Sequence, residues 1–334
     1  MVTGGPTRDL RTLPKAHLHL HLDGAIRFDT LAEECADRGI EMPTIPSDSA
    51  YPSFAGFMAT ITACHQVLST PSGLRRVIHE VVEDAAADGA VWVEVSVWPG
   101  LFGGRLGSER DVIELMLEFG RSAARLLGVG FGLMVAANRH EGPEAALAMA
   151  RQAASASDQG VVSFGLDGDE SRFPPAPFHE AFSTAIDSGL LSTPHAGELL
   201  GPGSVVDALD LLHADRILHG VRAAEDPDLL RRLADCGVCL DVCPTSNAKI
   251  GVYSLDQQPL PTLLSAGVRC SINADDPLLF GSGLADEYEM CRSQYRLSDG
   301  DFVNIARTSI ESSGAPSALK ASAISGIDRW LISG

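Results

Sequence analysis

The sequence is short of basic charge. Its 334 residues carry 25 Lys and Arg against 44 Asp and Glu, a net charge of −19. A surface that acidic repels phosphate backbones and anionic lipid, so neither a nucleic acid nor a membrane surface is expected as a partner. Long apolar runs are also missing, since none approaches the ~20 residues that span a bilayer. The opening "MVTGGPTRDLRTLPK" lacks the apolar core of a secretory leader. Cysteines number seven, an odd count, in a chain too large to need disulfide staples. These absences predict a reduced, cytoplasmic protein. No linker, low-complexity tract or charge block divides the chain, which predicts one domain over 1–334.

What the sequence does contain is an alternation of β-like and helical patterns. The β-like runs are 16–22, 90–98, 128–137, 160–167, 190–196, 216–221, 237–243 and 267–274. Helical stretches separate them. "GPEAALAMARQAAS" is rich in Ala, and "DPDLLRRLADCG" opens on Asp-Pro and stops at Gly, the usual punctuation of a helix. Eight such repeats predict a parallel sheet closed into a (β/α)8 TIM barrel, with extra helices over its C-terminal face. An open doubly wound sheet would carry a Gly-rich phosphate loop after its first strand. Here "DGAIRF" follows instead, without G-x-G-x-x-G.

A barrel of this kind keeps its chemistry at the C-terminal ends of the strands. Polar residues cluster there. His21 and Asp23 end the first run, "DGDE" (167–170) the fourth, "HAGE" (195–198) the fifth and His219 the sixth. "CPTSN" (243–247) and "ADDP" (274–277) end the last two. In "AHLHLHLDG", strand alternation puts His17, His19 and His21 on one face and the leucines on the other. Successive histidines then stand ~6.7 Å apart at Cα and the outer two ~13 Å apart, too far for three to share one ion. His19 and His21, nearest the strand top, are the expected pair, and His17 is expected one layer deeper in the barrel.

With His195 and Asp275 from other strand tops, that pair completes three imidazoles and a carboxylate. This is a first shell with room for a water, whose pKa a metal lowers from about 15.7 towards about 7. Glu198 is placed to carry the proton that a leaving group needs, and His219 to orient the nucleophile. "CGVCLDVC" spaces Cys236, Cys239 and Cys243 like metal ligands, but no second Cys/His pair completes the set. Cys239 and Cys243 fall within a predicted strand, and burial as small apolar residues is their expectation.

Taken in order, "HLHLDG", "DGDE", "HAGE", "HG", "CPTSN" and "NADDP" resemble the adenosine deaminase family of the metal-dependent amidohydrolases. The resemblance runs from about Leu13 to about Leu284. It implies hydrolytic deamination of a 6-aminopurine nucleoside, adenosine and water giving inosine and ammonia, with one Zn2+ per chain. It implies His19, His21, His195 and Asp275 as metal ligands, Glu198 as the proton donor to ring N1 and His219 as the orienting residue. Asp276 would meet purine N7, the Gly168 backbone N–H would meet N3, and Asp23 a ribose hydroxyl. Phe54, Phe57, Met58 and Ile61, at i, i+3, i+4 and i+7, resemble the family's apolar helix over the purine. Two departures stand out: Ser96 where the family's second strand carries Arg after "VEV", and His17 where related sequences carry Glu. Both bear on the outer part of the substrate. A 5′-modified adenosine such as aminodeoxyfutalosine and an N6-substituted adenosine are therefore alternative substrates. A non-catalytic purine-binding protein is the remote alternative.

Overall fold

The computed structural model describes residues 8–46, 50–102 and 104–332. Its strands are β1 Lys15–His17, β2 Ala90–Val97, β3 Gly130–Asn138, β4 Val161–Asp167, β5 Leu191–Ala196, β6 Arg216–His219, β7 Cys239–Val242 and β8 Arg269–Ile272. They pair in parallel in chain order, β1 through β8. The seam between last and first strand is drawn together just beyond both. His21 donates its backbone N–H to the Asp275 carbonyl (3.0 Å), and the Asp275 N–H bonds the His19 carbonyl (3.1 Å). This is the TIM barrel that the alternation predicts. Its closure sets residues about 250 positions apart in sequence against one another.

The elements follow local chemistry. Half of the eight residues of β2 (AVWVEVSV) are β-branched valine, and all but one of the eight are buried. A Ser108 capping box starts the helix Glu109–Leu127, and Gly128, at φ 74°, ends it. The Asp226 carboxylate caps the helix Pro227–Cys236, which Gly237 terminates in the left-handed region. Among the described residues, no helix is long and apolar enough to cross a membrane.

The first strand departs from expectation. Regular ladder structure ends at His17, and the successive N–H groups of Leu18 and His19 both bond the Asn273 side-chain oxygen, at 2.7 and 3.2 Å. In a regular strand those two donors would point to opposite sides, so the alternation breaks here. His17 consequently does not lie in the barrel beneath His19. It lines a separate cavity with Leu20, Val81, Ala85, Pro277 and Leu284, between the barrel wall and the outer helices. There its Nε2 accepts the Ala274 N–H at 3.2 Å.

Inside the barrel, Arg216 at the start of β6 pairs with Glu94 of β2 (2.7 Å) and Asp241 of β7 (2.9 Å), all with fully buried side chains. The network climbs from Asp241 through the Ser271 hydroxyl (2.6 Å) to Asn273 (2.7 Å), whose oxygen holds the His19 N–H. A buried charge survives only when paired and hydrogen-bonded, and here the pairing also anchors the segment bearing His19.

Candidate metal centre and active site

His19 and His21 reach the mouth of the barrel from just past β1, His195 from β5 and Asp275 from the turn after β8. His19 Nε2 lies 3.1 Å from Asp275 Oδ1, His21 Nε2 lies 3.3 Å from the same oxygen, and the two Nε2 atoms are 3.3 Å apart. His195 completes the group, with one donor atom from each residue within 4.8 Å of all the others. Ligands held 2.0–2.1 Å from a tetrahedral ion stand about 3.3 Å from one another. The donor set therefore fits a divalent metal. The outer nitrogens are engaged elsewhere: His19 Nδ1 faces the Asp241 carbonyl (3.3 Å) and His195 Nδ1 the Leu166 carbonyl (3.1 Å). Such partners fix the ring orientation and aim Nε2 at the ion. Burial opposes ionised Asp275, but His19, His219 and His21 around it hold its carboxyl well below the usual range.

His219 and Asp275 both adopt left-handed backbone, φ 61° and 62°, which is costly for residues other than Gly. His219 Nε2 lies 3.3 Å from Glu198 Oε1 and 3.7 Å from Asp275 Oδ2, while its Nδ1 meets the Asn247 amide oxygen at 3.1 Å. Burial drives His219 well below its ordinary value, so the imidazole is neutral. Burial, then the negative charges of Asp275 and Glu170, push Glu198 well above the carboxylate range, leaving a neutral acid. Asp276 is raised in the same way by burial and by Asp275 and Asp23. A protonated Asp276 can donate a hydrogen bond, and its Oδ1 is buried without a partner.

These groups open into one cleft with about 790 Å³ of empty space, reaching out to solvent. Asp23, Gly168 and Asp276 line it, as do Phe54, Phe57, Met58 and Ile61 on the helix Phe54–His65. Phe57 stacks on Phe280 at 5.4 Å, which fixes the apolar wall. Every residue singled out from the sequence for metal, proton transfer or substrate thus reaches one place. Sequence reasoning missed Trp98, Leu101 and Asn138, which share the lining, and gave no role to Asp167 of "DGDE" or Ser246 of "CPTSN", which line it too. Trp98 and Asn138 stand at the tops of the second and third strands, so the strand-top rule could have found them. Burial pushes the Cys243 thiol well above its ordinary value, and its sulfur packs 3.4 Å from His19 Nδ1, the nitrogen turned away from Asp275. Cys239 is equally buried, as expected of a small apolar residue, whereas Cys236 is exposed.

The family model for adenosine deaminase matches residues 14–330. A Streptomyces virginiae protein named adenosine/adenine deaminase is 42% identical over 97% of this chain and 98% of its own. The crystal structure of adenine deaminase from Arthrobacter aurescens superposes with a TM-score of 0.88, at 29% identity over 96% of this chain and 99% of that one. A zinc-bound amidohydrolase from Burkholderia ambifaria superposes at 0.85, with 25% identity over 99% and 96%. With that match across nearly the whole chain, the protein belongs to the adenosine deaminase family, hydrolytic deaminases of purine C–N bonds.

Proposed function

We propose that this protein is a zinc enzyme that removes the 6-amino group of an unphosphorylated 6-aminopurine, acting as one barrel domain over 1–334. The observation that carries the reading is the convergence of a neutral acid, Glu198, and a neutral imidazole, His219, beside four metal-ligating side chains. Zinc held by His19, His21, His195 and Asp275 would supply a water ionised at neutral pH. Glu198 donates its proton to ring N1, which makes C6 electrophilic. His219 orients the attacking water and takes up the proton it gives up, then passes that proton to the 6-amino group, which leaves as ammonia while the C6 hydroxyl proton restores Glu198. Protonated Asp276 donates to N7 and the Gly168 backbone N–H to N3, while Phe57 and Met58 cover the base and exclude water.

The wall of the cleft argues against a nucleotide. Among the described residues that line it there is no Lys or Arg, and Asp23 and Asp167 face inward. A phosphate dianion would lose solvent there and meet carboxylates. Adenosine is the first reading, because Asp23 is available for a ribose hydroxyl. Adenine is the second, favoured by the Arthrobacter relative and by Asp167. That carboxylate precedes Gly168, and its Oδ1 is buried without a hydrogen-bond partner. It lies 3.1 Å from His195 Nδ1, a nitrogen that the Leu166 carbonyl faces at the same distance. In free adenine the N9–H, next to N3, is a donor that adenosine lacks. Ammonia release by zinc-loaded protein from adenosine, adenine and AMP tests the proposal, with 5′- and N6-modified adenosines completing the panel. The expected kcat/KM for AMP is lower than for the best unphosphorylated purine by about 100-fold or more, the scale set by burying one unpaired charge. Preference for AMP, or no ammonia from any of them, would overturn it.

A further inference from the structure

Glu170 ends the "DGDE" segment after β4, and the chemistry proposed above leaves it without a task. Its side chain is 1% exposed and gathers four consecutive backbone donors from the loop after β5. Oε1 accepts the Gly197 N–H at 2.6 Å, and Oε2 accepts those of Glu198, Leu199 and Leu200 at 3.1, 2.9 and 3.1 Å. The Ser204 hydroxyl donates to Oε1 from the following helix, Pro202–Leu211. The loop carbonyls are held from the other side. Arg139 bonds the His195 carbonyl, and Arg222 bonds those of Gly197 through its N–H and Leu199 through its guanidinium. The chain can enter this turn only because residue 197 is glycine: φ is 68°, and a β-carbon would lie 2.3 Å from Val205 Cγ2.

Four amides aimed at one carboxylate form a fixed cradle, and charge-assisted bonds of this kind are about twice as strong as neutral ones. The second amide in the cradle is that of Glu198 itself. We infer that Glu170 is a positioning residue for proton delivery. Its carboxyl oxygens fix the backbone of 197–200, so that the Glu198 carboxyl stays at the His219 edge of the cleft. Glu170 touches neither substrate nor ligand atoms and acts only through Glu198. The inference rests on the deaminase reading, in which Glu198 is the acid.

Two variants of the zinc-loaded enzyme test it. Glu170→Gln places an NH2 donor against backbone donors. Glu170→Asp keeps the charge but falls short by one methylene, about 1.5 Å. Since a misplacement near 1 Å can cost about 100-fold in rate, kcat should fall by roughly 100-fold in Glu170→Gln and by roughly 10-fold or more in Glu170→Asp. KM and zinc content should remain within about threefold of wild type, because the ligands and the purine contacts are untouched. Amide hydrogen exchange at 197–200 should accelerate in both variants, while the strands stay protected. Wild-type kcat in Glu170→Asp, or unchanged exchange at 197–200, would overturn the inference. So would joint loss of kcat, zinc and substrate binding in both variants, which marks a role in folding alone. Should the wild-type enzyme deaminate no 6-aminopurine, the functional reading fails, and the exchange comparison still decides whether Glu170 fixes the loop.

Discussion

Substituting Gly24 by alanine should weaken purine recognition without touching a metal ligand. A β-carbon on Gly24 would stand 1.8 Å from Asp276 Oδ1, 2.4 Å from its Cγ and 2.5 Å from its Cβ. Unbonded heavy atoms settle near about 3.5 Å, so the Asp276 carboxyl must retreat by roughly 1.5 Å. It has little room, because Asp276 is 1% exposed and the Gly24 carbonyl is tied to the Leu278 N–H at 2.8 Å. A donor displaced that far from purine N7 no longer makes its hydrogen bond. Leaving the buried partner unsatisfied costs about 2 kcal/mol, or about 30-fold in kcat/KM. Overpacking should also lower stability by about 1–3 kcal/mol. Zinc should be retained, since Asp275 is held by its own backbone bonds to His19 and His21. Steady-state kinetics on adenosine and adenine, metal analysis and thermal melting of Gly24→Ala read all three quantities. A folded, zinc-loaded variant with kcat/KM within about threefold of wild type would refute the reasoning, because a contact of this kind accounts for more.

Glu198→Gln keeps the shape but removes the proton, so kcat should drop by about 10²–10⁴-fold with zinc content unchanged; a near-normal kcat would remove Glu198 from its role. His17→Ala strands the buried Ala274 N–H that Nε2 now accepts, and should lose about 1–3 kcal/mol of stability in chemical denaturation. Its zinc should stay stoichiometric, and zinc loss would contradict the outward placement of His17. Burial pushes Glu287, on the helix Leu284–Tyr295, up to about 7 from 4.5. The native state therefore binds this proton more tightly than the unfolded chain, and stability should fall as pH rises from about 4.5 to 7, by up to about 3 kcal/mol. Glu287→Gln should flatten that part of the profile. An identical slope in wild type and variant, measured by denaturation between pH 5 and 8, would assign the pH dependence to other groups.

The barrel was legible because each strand is a compact apolar run bounded by turn residues, and the site because its residues end those runs. Where reading failed, the missing information was spatial. The first run looked like a seven-residue strand, but Asn273 takes two successive N–H groups from it, and this sends His17 outward. Nothing local to "AHLHLHL" signals a partner some 255 residues away. The third run was ended at residue 137, one short of Asn138, so a polar strand top went unseen. Trp98 closes the second β-like run, 90–98, and nothing in that run signals that its indole N–H meets Glu141 at 3.2 Å. Arg216, Glu94 and Asp241 lie within or at the start of strands, where a charge looks anomalous until its partners are known. The contact of Gly24 with Asp276 and the Glu170 cradle are likewise contacts between strand ends whose facing no single segment encodes.

These long-range contacts also explain how the candidate metal-binding side chains hold their places. Three imidazoles gathered around one carboxylate in a buried pocket keep their nitrogens aimed at one point only if the rings are held from outside. Here the holding is done by groups outside the shell. The Asp241 carbonyl steadies His19, the Leu166 carbonyl His195, and Asn247 steadies His219 beside them. The strain of left-handed backbone at His219 and Asp275, of order 1–3 kcal/mol each, persists because the barrel seam and the Asn247 contact over-determine both residues. His21 differs. Its outer nitrogen has Asp167 Oδ2 at 3.8 Å, beyond hydrogen-bond reach, and its side chain is 14% exposed where that of His19 is fully buried. Three of the four candidate ligands are thus fixed by the fold, and His21 is the one with the least support on its outer side. It stands at the open side of the candidate site, where the cleft begins.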